Sequence, residues 1–367
     1  MKQSKAIQLL KKHFCRRGQN LPILNHAVVN NDNIKCNDLG AECTLYIDEK
    51  ISTINSVVDL SVLSAFADIK TITHITDDRI VNEFNDAKTD AKIEKLPVGD
   101  FPMLDKPKHK IEKMEGKQKI VKFEDGAPIV DILCSDLLAA IEKIDYAMDN
   151  KDVRYYLNGI CFDFVCDKIK LIATDGHRLA LTECNLMSES ETYKAQHIVT
   201  RSTIVLLKSV LKLTDSRALS VTLGDNYIIE FRANDFLITA KLCDGKYPDY
   251  TRVVPKNNTE LLKLNRKETL KTIKQLKPFF NKKYHCLIID IEAREFEASN
   301  LESSMRLPMP VLDCSETIDK IGINADYLCD VLNNTTDETI DFYLLDKNSA
   351  IVATVNNSTH IIMPMRL

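Results

Sequence analysis

Asp175 and His177 flank a glycine in the stretch Ala173-Thr174-Asp175-Gly176-His177-Arg178-Leu179-Ala180, near the middle of a 367-residue chain. A carboxylate and an imidazole two residues apart are the types used for general acid–base work or for holding a metal. Either use needs a third group, a nucleophile or a further ligand, brought in by the fold. Nothing nearby supplies one at a recognisable spacing, so no catalytic residue and no metal ligand is assigned. The same residues carry a second reading. Asp-Gly between two apolar runs is a hairpin signal, with Ile172 and Leu179 on the flanking strands. A nuclease-like site and a tight turn both remain open, and the turn asks for nothing more from the chain.

Two further stretches stand out. In Asp152-Val153-Arg154-Tyr155-Tyr156-Leu157-Asn158-Gly159, adjacent aromatics beside a cation suit stacking on unpaired bases, or else one ring in a core and one on the surface. The chain ends Ile361-Ile362-Met363-Pro364-Met365-Arg366-Leu367, apolar except for Arg366. Such a tail reads as a last strand completing a sheet, or as one that also lines a pocket.

Composition narrows the classes. With 44% hydrophobic and 28% charged residues, the chain is an ordinary globular one of two or three domains. Its net charge of −4 means that any contact with nucleic acid must come from local basic patches. No apolar run approaches the length of a membrane span, and the N-terminus lacks a signal-peptide pattern, so a cytoplasmic protein without a membrane partner is expected. The 11 cysteines are scattered without a Cys-x-x-Cys pair, which predicts free, mostly buried thiols and no zinc site. Cys243, between Leu242 and Asp244, is one expected to fill a small apolar position. No phosphate-cradling glycine loop occurs, so neither nucleotide hydrolysis nor a cofactor is expected.

Six segments show helical periodicity. They lie at about 4–15, after Asp59, from about Ser135, after Thr200, after Asn265 and after Asn324. Asp59 is a good N-cap, and Asn265 with Glu268 has capping-box spacing. Between them lie alternating runs read as strands, at 44–47, 227–231, 236–240 and 286–290. The first, third and fifth helices are spaced by about one domain length. This predicts an α+β protein of three domains on one plan, at 1–118, 119–253 and 254–367. Linkers are expected at 106–122, which is lysine-rich, and at 248–258. Basic residues cluster on the first helix (Lys5, Lys11, Lys12, Arg16, Arg17), the fourth (Arg201, Lys208, Lys212) and the fifth (Arg266, Lys267, Lys271, Lys274, Lys277). They are either solvated faces or a surface for phosphates.

The three stretches resemble the central domain and C-terminus of the bacterial DNA polymerase III beta sliding clamp. So do Lys241-Leu242-Cys243-Asp244-Gly245-Lys246-Tyr247-Pro248-Asp249-Tyr250, Leu21-Pro22-Ile23-Leu24 and Asp100-Phe101-Pro102. The resemblance implies three clamp domains, each with two helices packed on antiparallel sheets, in a head-to-tail homodimeric ring around double-stranded DNA. It implies a non-catalytic processivity subunit that binds DNA without sequence preference and is placed by an ATP-dependent clamp loader. Its clients would be the replicative polymerase's catalytic subunit, translesion polymerases and repair proteins. A scaffold that kept the fold without the ring is the alternative.

Carried over residue by residue, the family's peptide pocket implies Leu157, Thr174, Gly176, His177, Arg178, Leu179, Pro248, Arg252, Val253 and Tyr327. From the tail it implies Ile361, Ile362, Met363, Pro364, Met365, Arg366 and Leu367. DNA contacts are implied at Arg17, Lys151, Tyr155, Tyr156, Lys208 and Lys271, and ring contacts at Phe101, Leu104, Phe279 and Phe280.

Overall fold

The computed structural model describes the chain except residues 16–20, 54, 69–70, 77, 85–86, 94–95, 105–109, 116–117, 124–129, 166, 188–193, 224–226, 256–257 and 316–318, with backbone alone at 83–84, 87–89, 110–115, 118–123 and 194. Arg16 and Arg17 therefore lie outside the described residues.

The six helices form where periodicity places them: α1 Gln3–Phe14, α2 Leu60–Ala67, α3 Cys134–Ile144, α4 Arg201–Leu211, α5 Arg266–Leu276 and α6 Ala325–Asn333. Their starts are local chemistry. The Asp59 carboxylate accepts from the amides of Ser61 and Val62 at 2.7 and 3.1 Å. Asn324 accepts from Asp326 and Tyr327, and Thr200 from Thr203. Each satisfies amide donors that the first helical turn leaves open. At α5 only half of the expected capping box forms. Asn265 accepts from the Glu268 amide at 3.0 Å, but its own N–H donates to Pro310 O at 3.0 Å. Asn265 also ends a strand, and the sheet has already taken the donor that Glu268 would have reached. Glu268 pairs with Lys271 instead.

The chain falls into two compact units. The first comprises Met1–Leu138, Asn185–Tyr193 and Val199–Asp244. Its centre is one antiparallel sheet in the order Ser56–Asp59, His26–Val29, Asn33–Asn37, Ala41–Tyr46, Phe236–Cys243, Ile228–Arg232, Ala218–Leu223, Val130–Leu133. Four strands from the N-terminal part thus join four from beyond residue 129 through a single ladder, Phe236↔Leu45 to Ala240↔Ala41. α1 and α2 pack together in this unit, α1 burying Ile7, Leu10 and Phe14, with Lys11 Nζ donating to Ser64 Oγ at 3.2 Å.

The second unit comprises Ala139–Cys184, Lys194–Ile198 and Gly245–Leu367. The same device recurs. Arg178–Asn185 pairs with Ser358–Ile362, and the sheet continues through Ile351–Val355, Thr339–Leu344, Glu260–Asn265 and Val311–Cys314. A separate four-stranded sheet runs Ser304–Pro308, Glu295–Ser299, Cys286–Asp290, Lys320–Asn324. α5 and α6 close a core that includes Leu264, Ile273, Leu276, Phe296, Leu328, Leu332 and Ile362.

Two expectations need correction. The lysine-rich stretch read as a linker holds a two-stranded hairpin, Lys110–Glu115 with Gln118–Phe123. Its apolar residues, Ile111, Met114, Ile120, Val121 and Phe123, do not alternate strictly, so the strand pattern is weak and the lysine content reads as a solvated linker. Cys243 is only half-buried, whereas Cys36, Cys43, Cys134, Cys161 and Cys184 are buried thiols. A strand's last residue, with its Sγ beside the neighbouring Asp244 carbonyl, has solvent on one side. Among the described residues no helix is long and apolar enough to cross a membrane.

Candidate functional site

The Asp175-Gly176 turn joins strands Lys168–Thr174 and Arg178–Asn185. Gly176 sits at φ +89, where a side chain is strained. Asp175 is spent on holding this turn. Its Oδ1 accepts from the amides of His177 and Arg178 at 2.8 and 3.0 Å, and its Oδ2 accepts from Arg178 Nε at 2.9 Å. The His177 ring is exposed at the tip. No acid–base dyad forms, because the carboxylate faces the backbone and Arg178 rather than the imidazole. The open choice between catalysis and a turn is settled in favour of the turn.

Arg178 is the hub of the second unit. Besides Asp175, its guanidinium donates to Asp330 on α6 and to the Tyr146 carbonyl at 2.7 Å. Its cationic carbon lies 4.4 Å from the Tyr327 ring centroid and 5.1 Å from that of Tyr146. Burial, followed by the nearby Asp175 charge, pushes the Tyr327 phenol up to about 12. The Tyr146 hydroxyl donates to His360 Nδ1 at 2.7 Å. Ser358 donates to Val355 O at 2.6 Å, leaving its oxygen to accept from His360 Nε2 at 3.1 Å. The imidazole is thus held neutral with its proton on Nε2.

Burial, with help from Lys143, lowers the His360 pKa from 6.5 to about 4. The unfolded chain therefore takes up this proton first. Stability is lost as pH falls from about 6.5 to about 4, and going from pH 7 to 5 removes about 2 kcal/mol through this group. Urea unfolding at both pH values should show His360→Gln losing that much less than the unaltered chain; equal losses would count against this account.

Beside the turn lies a cavity of about 270 Å³. Of the residues assigned from sequence to a pocket, Leu157, Thr174, Gly176, Arg178, Leu179, Pro248, Val253, Ile361 and Met363 line it. The ladder Arg178↔Ile362 and Leu179↔Ile361, extended by Met363 N–H to His177 O at 2.9 Å, lays the tail along this wall. His177 and Arg252 are exposed outside the lining, Arg252 paired with Asp249 at 2.9 Å. Tyr327 lies behind Arg178. Ile362 faces the core. The end of the tail departs: Met365 N–H donates to Gly322 O at 2.7 Å, and Leu367 packs where Gly322 has no side chain. Pro364 and Arg366 go with it, outside the lining.

Four lining residues escaped the sequence-based pocket: Arg154, Tyr156, Tyr247 and Tyr250. Tyr247 donates to the buried Ile172 O at 3.2 Å and Tyr250 to the half-buried Asp163 at 2.6 Å, so both rings line the cavity with their hydroxyls satisfied within the protein. The signal was the spacing Tyr247-Pro248-Asp249-Tyr250 between two strands. Tyr156, assigned to DNA, is half-buried in this lining, while Tyr155 is 58% exposed. Lys151 and Lys271 are exposed and Lys208 half-buried.

Of the residues assigned to ring contacts, Phe101 and Phe280 are 4% and 7% exposed. Phe101 packs with Val28 and Val57, and Phe280 belongs to the second unit's core. Both rings are used within the chain, so they offer little surface to a partner. Leu104 and Phe279 remain half-buried. A second hollow of about 880 Å³ opens over Leu270, Ile273 and Phe280, rimmed by Lys274, Lys277, Lys282 and Lys283.

The chain has known relatives. Residues 132–249 match the DNA polymerase III beta subunit central domain. A beta sliding clamp of Pseudomonas putida is 32% identical over 281 residues, 75% of this chain and 71% of that one. A Pseudomonas aeruginosa DNA polymerase sliding clamp, solved with a ligand, superposes with a TM-score of 0.82 at 25% identity, covering 99% of this chain and 97% of that one. The Thermotoga maritima DNA polymerase III beta subunit shares the fold, with a TM-score of 0.82 at 20% identity over 100% and 97%. Similar in sequence across most of its length and in fold across nearly all of it, this chain belongs to the family of beta sliding clamps, the non-catalytic processivity subunits of DNA polymerase III.

Proposed function

We propose that this sliding clamp acts in the cytoplasm as a head-to-tail homodimeric ring around duplex DNA, opened and placed by an ATP-dependent loader. In this reading it holds three clamp domains, at 1–118, 119–253 and 254–367. The cavity beside the Asp175 turn receives short apolar peptides from the replicative polymerase and from translesion polymerases and repair proteins.

The observation that carries the pocket is that a glycine turn, a tyrosine-rich segment and the tail strand converge on one apolar cavity. At about 270 Å³ it suits one or two side-chain anchors rather than a whole ligand. Each buried Leu or Phe anchor contributes roughly 1.5–3 kcal/mol, so two give affinity of order micromolar after ordering costs, which suits exchange. For the ring, the hollow over Phe280 is the proposed seat for the first domain of a second copy. Leu104 and Phe279 contribute more than the buried Phe101 and Phe280. Lys151, Tyr155, Lys208 and Lys271 are proposed to meet the DNA backbone, through salt-sensitive contacts without base readout.

A ring is held on DNA by topology, not by contact strength. After loading on nicked circular DNA the protein is expected to co-elute with it at moderately raised salt. Cutting that DNA once should release it. Equal retention on circular and linear DNA would remove the ring reading and favour a scaffold that kept the fold alone.

A further inference from the structure

We infer that the lysine-rich hairpin of strands Lys110–Glu115 and Gln118–Phe123 is a DNA contact of this clamp, with Lys110, Lys113, Lys119 and Lys122 meeting the phosphates of duplex DNA without sequence preference. This contact is separate from the residues assigned to DNA above and depends neither on the ring nor on the peptide pocket.

The stretch reverses the charge of the chain locally. Residues 106–122 carry seven lysines against Glu112 and Glu115, in a protein whose net charge is −4. Asp105 bounds the run on one side, and Glu124 and Asp125 on the other. Four of the lysines fall on the two strands, and the register sets an apolar residue opposite each: Lys110↔Phe123, Ile111↔Lys122, Lys113↔Ile120 and Met114↔Lys119. Glu112 stands opposite Val121, and Glu115 opposite Gln118. No rung of this ladder sets a lysine against a carboxylate, although opposite charges across a pair are what stabilise such a ribbon. Successive rungs alternate between faces, so Lys110 and Lys119 share one face and Lys113 and Lys122 the other.

The ribbon is also short of other support. Among the described residues its two strands pair only with each other, apart from the remaining sheets. An isolated two-stranded hairpin is marginal in water, and one whose cations lack carboxylates opposite gains most from an external polyanion. Duplex DNA is the polyanion on which a DNA polymerase III processivity subunit works, and its major groove admits a two-stranded ribbon. The run from 106 to 122 contains no arginine and no asparagine, two of the main base-reading residues, so phosphate contact without sequence readout is the expected mode.

The test is fluorescence anisotropy of a short labelled linear duplex between about 50 and 200 mM salt. It compares the unaltered full chain with a fourfold variant carrying Lys110→Gln, Lys113→Gln, Lys119→Gln and Lys122→Gln, with the same four positions changed to Arg, and with Glu112→Gln plus Glu115→Gln. Each phosphate contact contributes about 0.9 to the slope of log affinity against log salt, so the glutamine variant should lose about 2 or more from that slope. The arginine variant should keep the slope, and removing the two glutamates should tighten binding at every salt concentration. A hairpin with only a structural role would not produce that order. Retention on a loaded nicked circle, which topology governs, should be the same for every variant, so a failed ring and a failed hairpin contact give different patterns. An unchanged slope in the glutamine variant would overturn the inference. So would tighter binding of the unaltered chain to labelled polyglutamate than to the duplex, with the same loss in the glutamine variant, because the hairpin would then be a site for an acidic protein.

Discussion

Replacing Arg178 by alanine is expected to lower the stability of its unit by about 3 kcal/mol, as for removal of one partner from a mostly buried ion pair. The side chain is 13% exposed and ties the turn to α6 and to Tyr146. Asp175 would keep its two amide donors but lose its counter-ion, at 10% exposure, while Asp330, at 38%, can rehydrate. That difference places the cost near the lower end of the range for such pairs. Arg178→Lys should rescue little, since a single ammonium cannot reach three acceptors in three directions. Peptide binding should fall with stability, because the wall formed by Thr174, Gly176 and Leu179 depends on the turn. Urea unfolding followed by circular dichroism measures the first effect and anisotropy the second. A midpoint change worth under about 0.5 kcal/mol would show that the hub is dispensable.

The second large effect separates two parts of the tail. Removing 364–367 is expected to change peptide affinity less than fivefold, and Met363→Asp to reduce it roughly a hundredfold, the equivalent of losing a buried apolar wall and adding a charge. Met363 lines the cavity and is tied to His177 O. Met365 and Leu367 are occupied with the strand Lys320–Asn324 at Gly322. The resemblance assigned the whole tail to the pocket, so the two readings give opposite results for the shorter truncation. Isothermal titration with both variants decides between them. Loss of binding on removing 364–367, with the fold intact by circular dichroism, would restore the longer lining.

Much of this architecture was legible because its causes are local. Asp59, Asn265 and Asn324 begin helices by bonding amides two or three residues away, and Asp175-Gly176 turns the chain through its own side chain and a positive φ. Such features lie within a few residues of sequence and survive any context. The six helices and the sampled strands were placed for that reason. Where locality ended, the reading weakened. Apolar alternation marks Phe101 and the 279–280 pair as sticky but cannot say whether the chain's own core or a second copy covers them. Within the chain, Phe101 packs against Val28 and Val57. Asp175 beside His177 looked able to do chemistry until Arg178, reaching to Asp330 and Tyr146, claimed the carboxylate. The tail's seven residues read as one apolar run, yet its first residues join a sheet while Leu367 fills the space at Gly322. Each of these outcomes depends on partners distant in sequence, and a side chain's role there is set by which of several competing contacts the folded chain can satisfy at once.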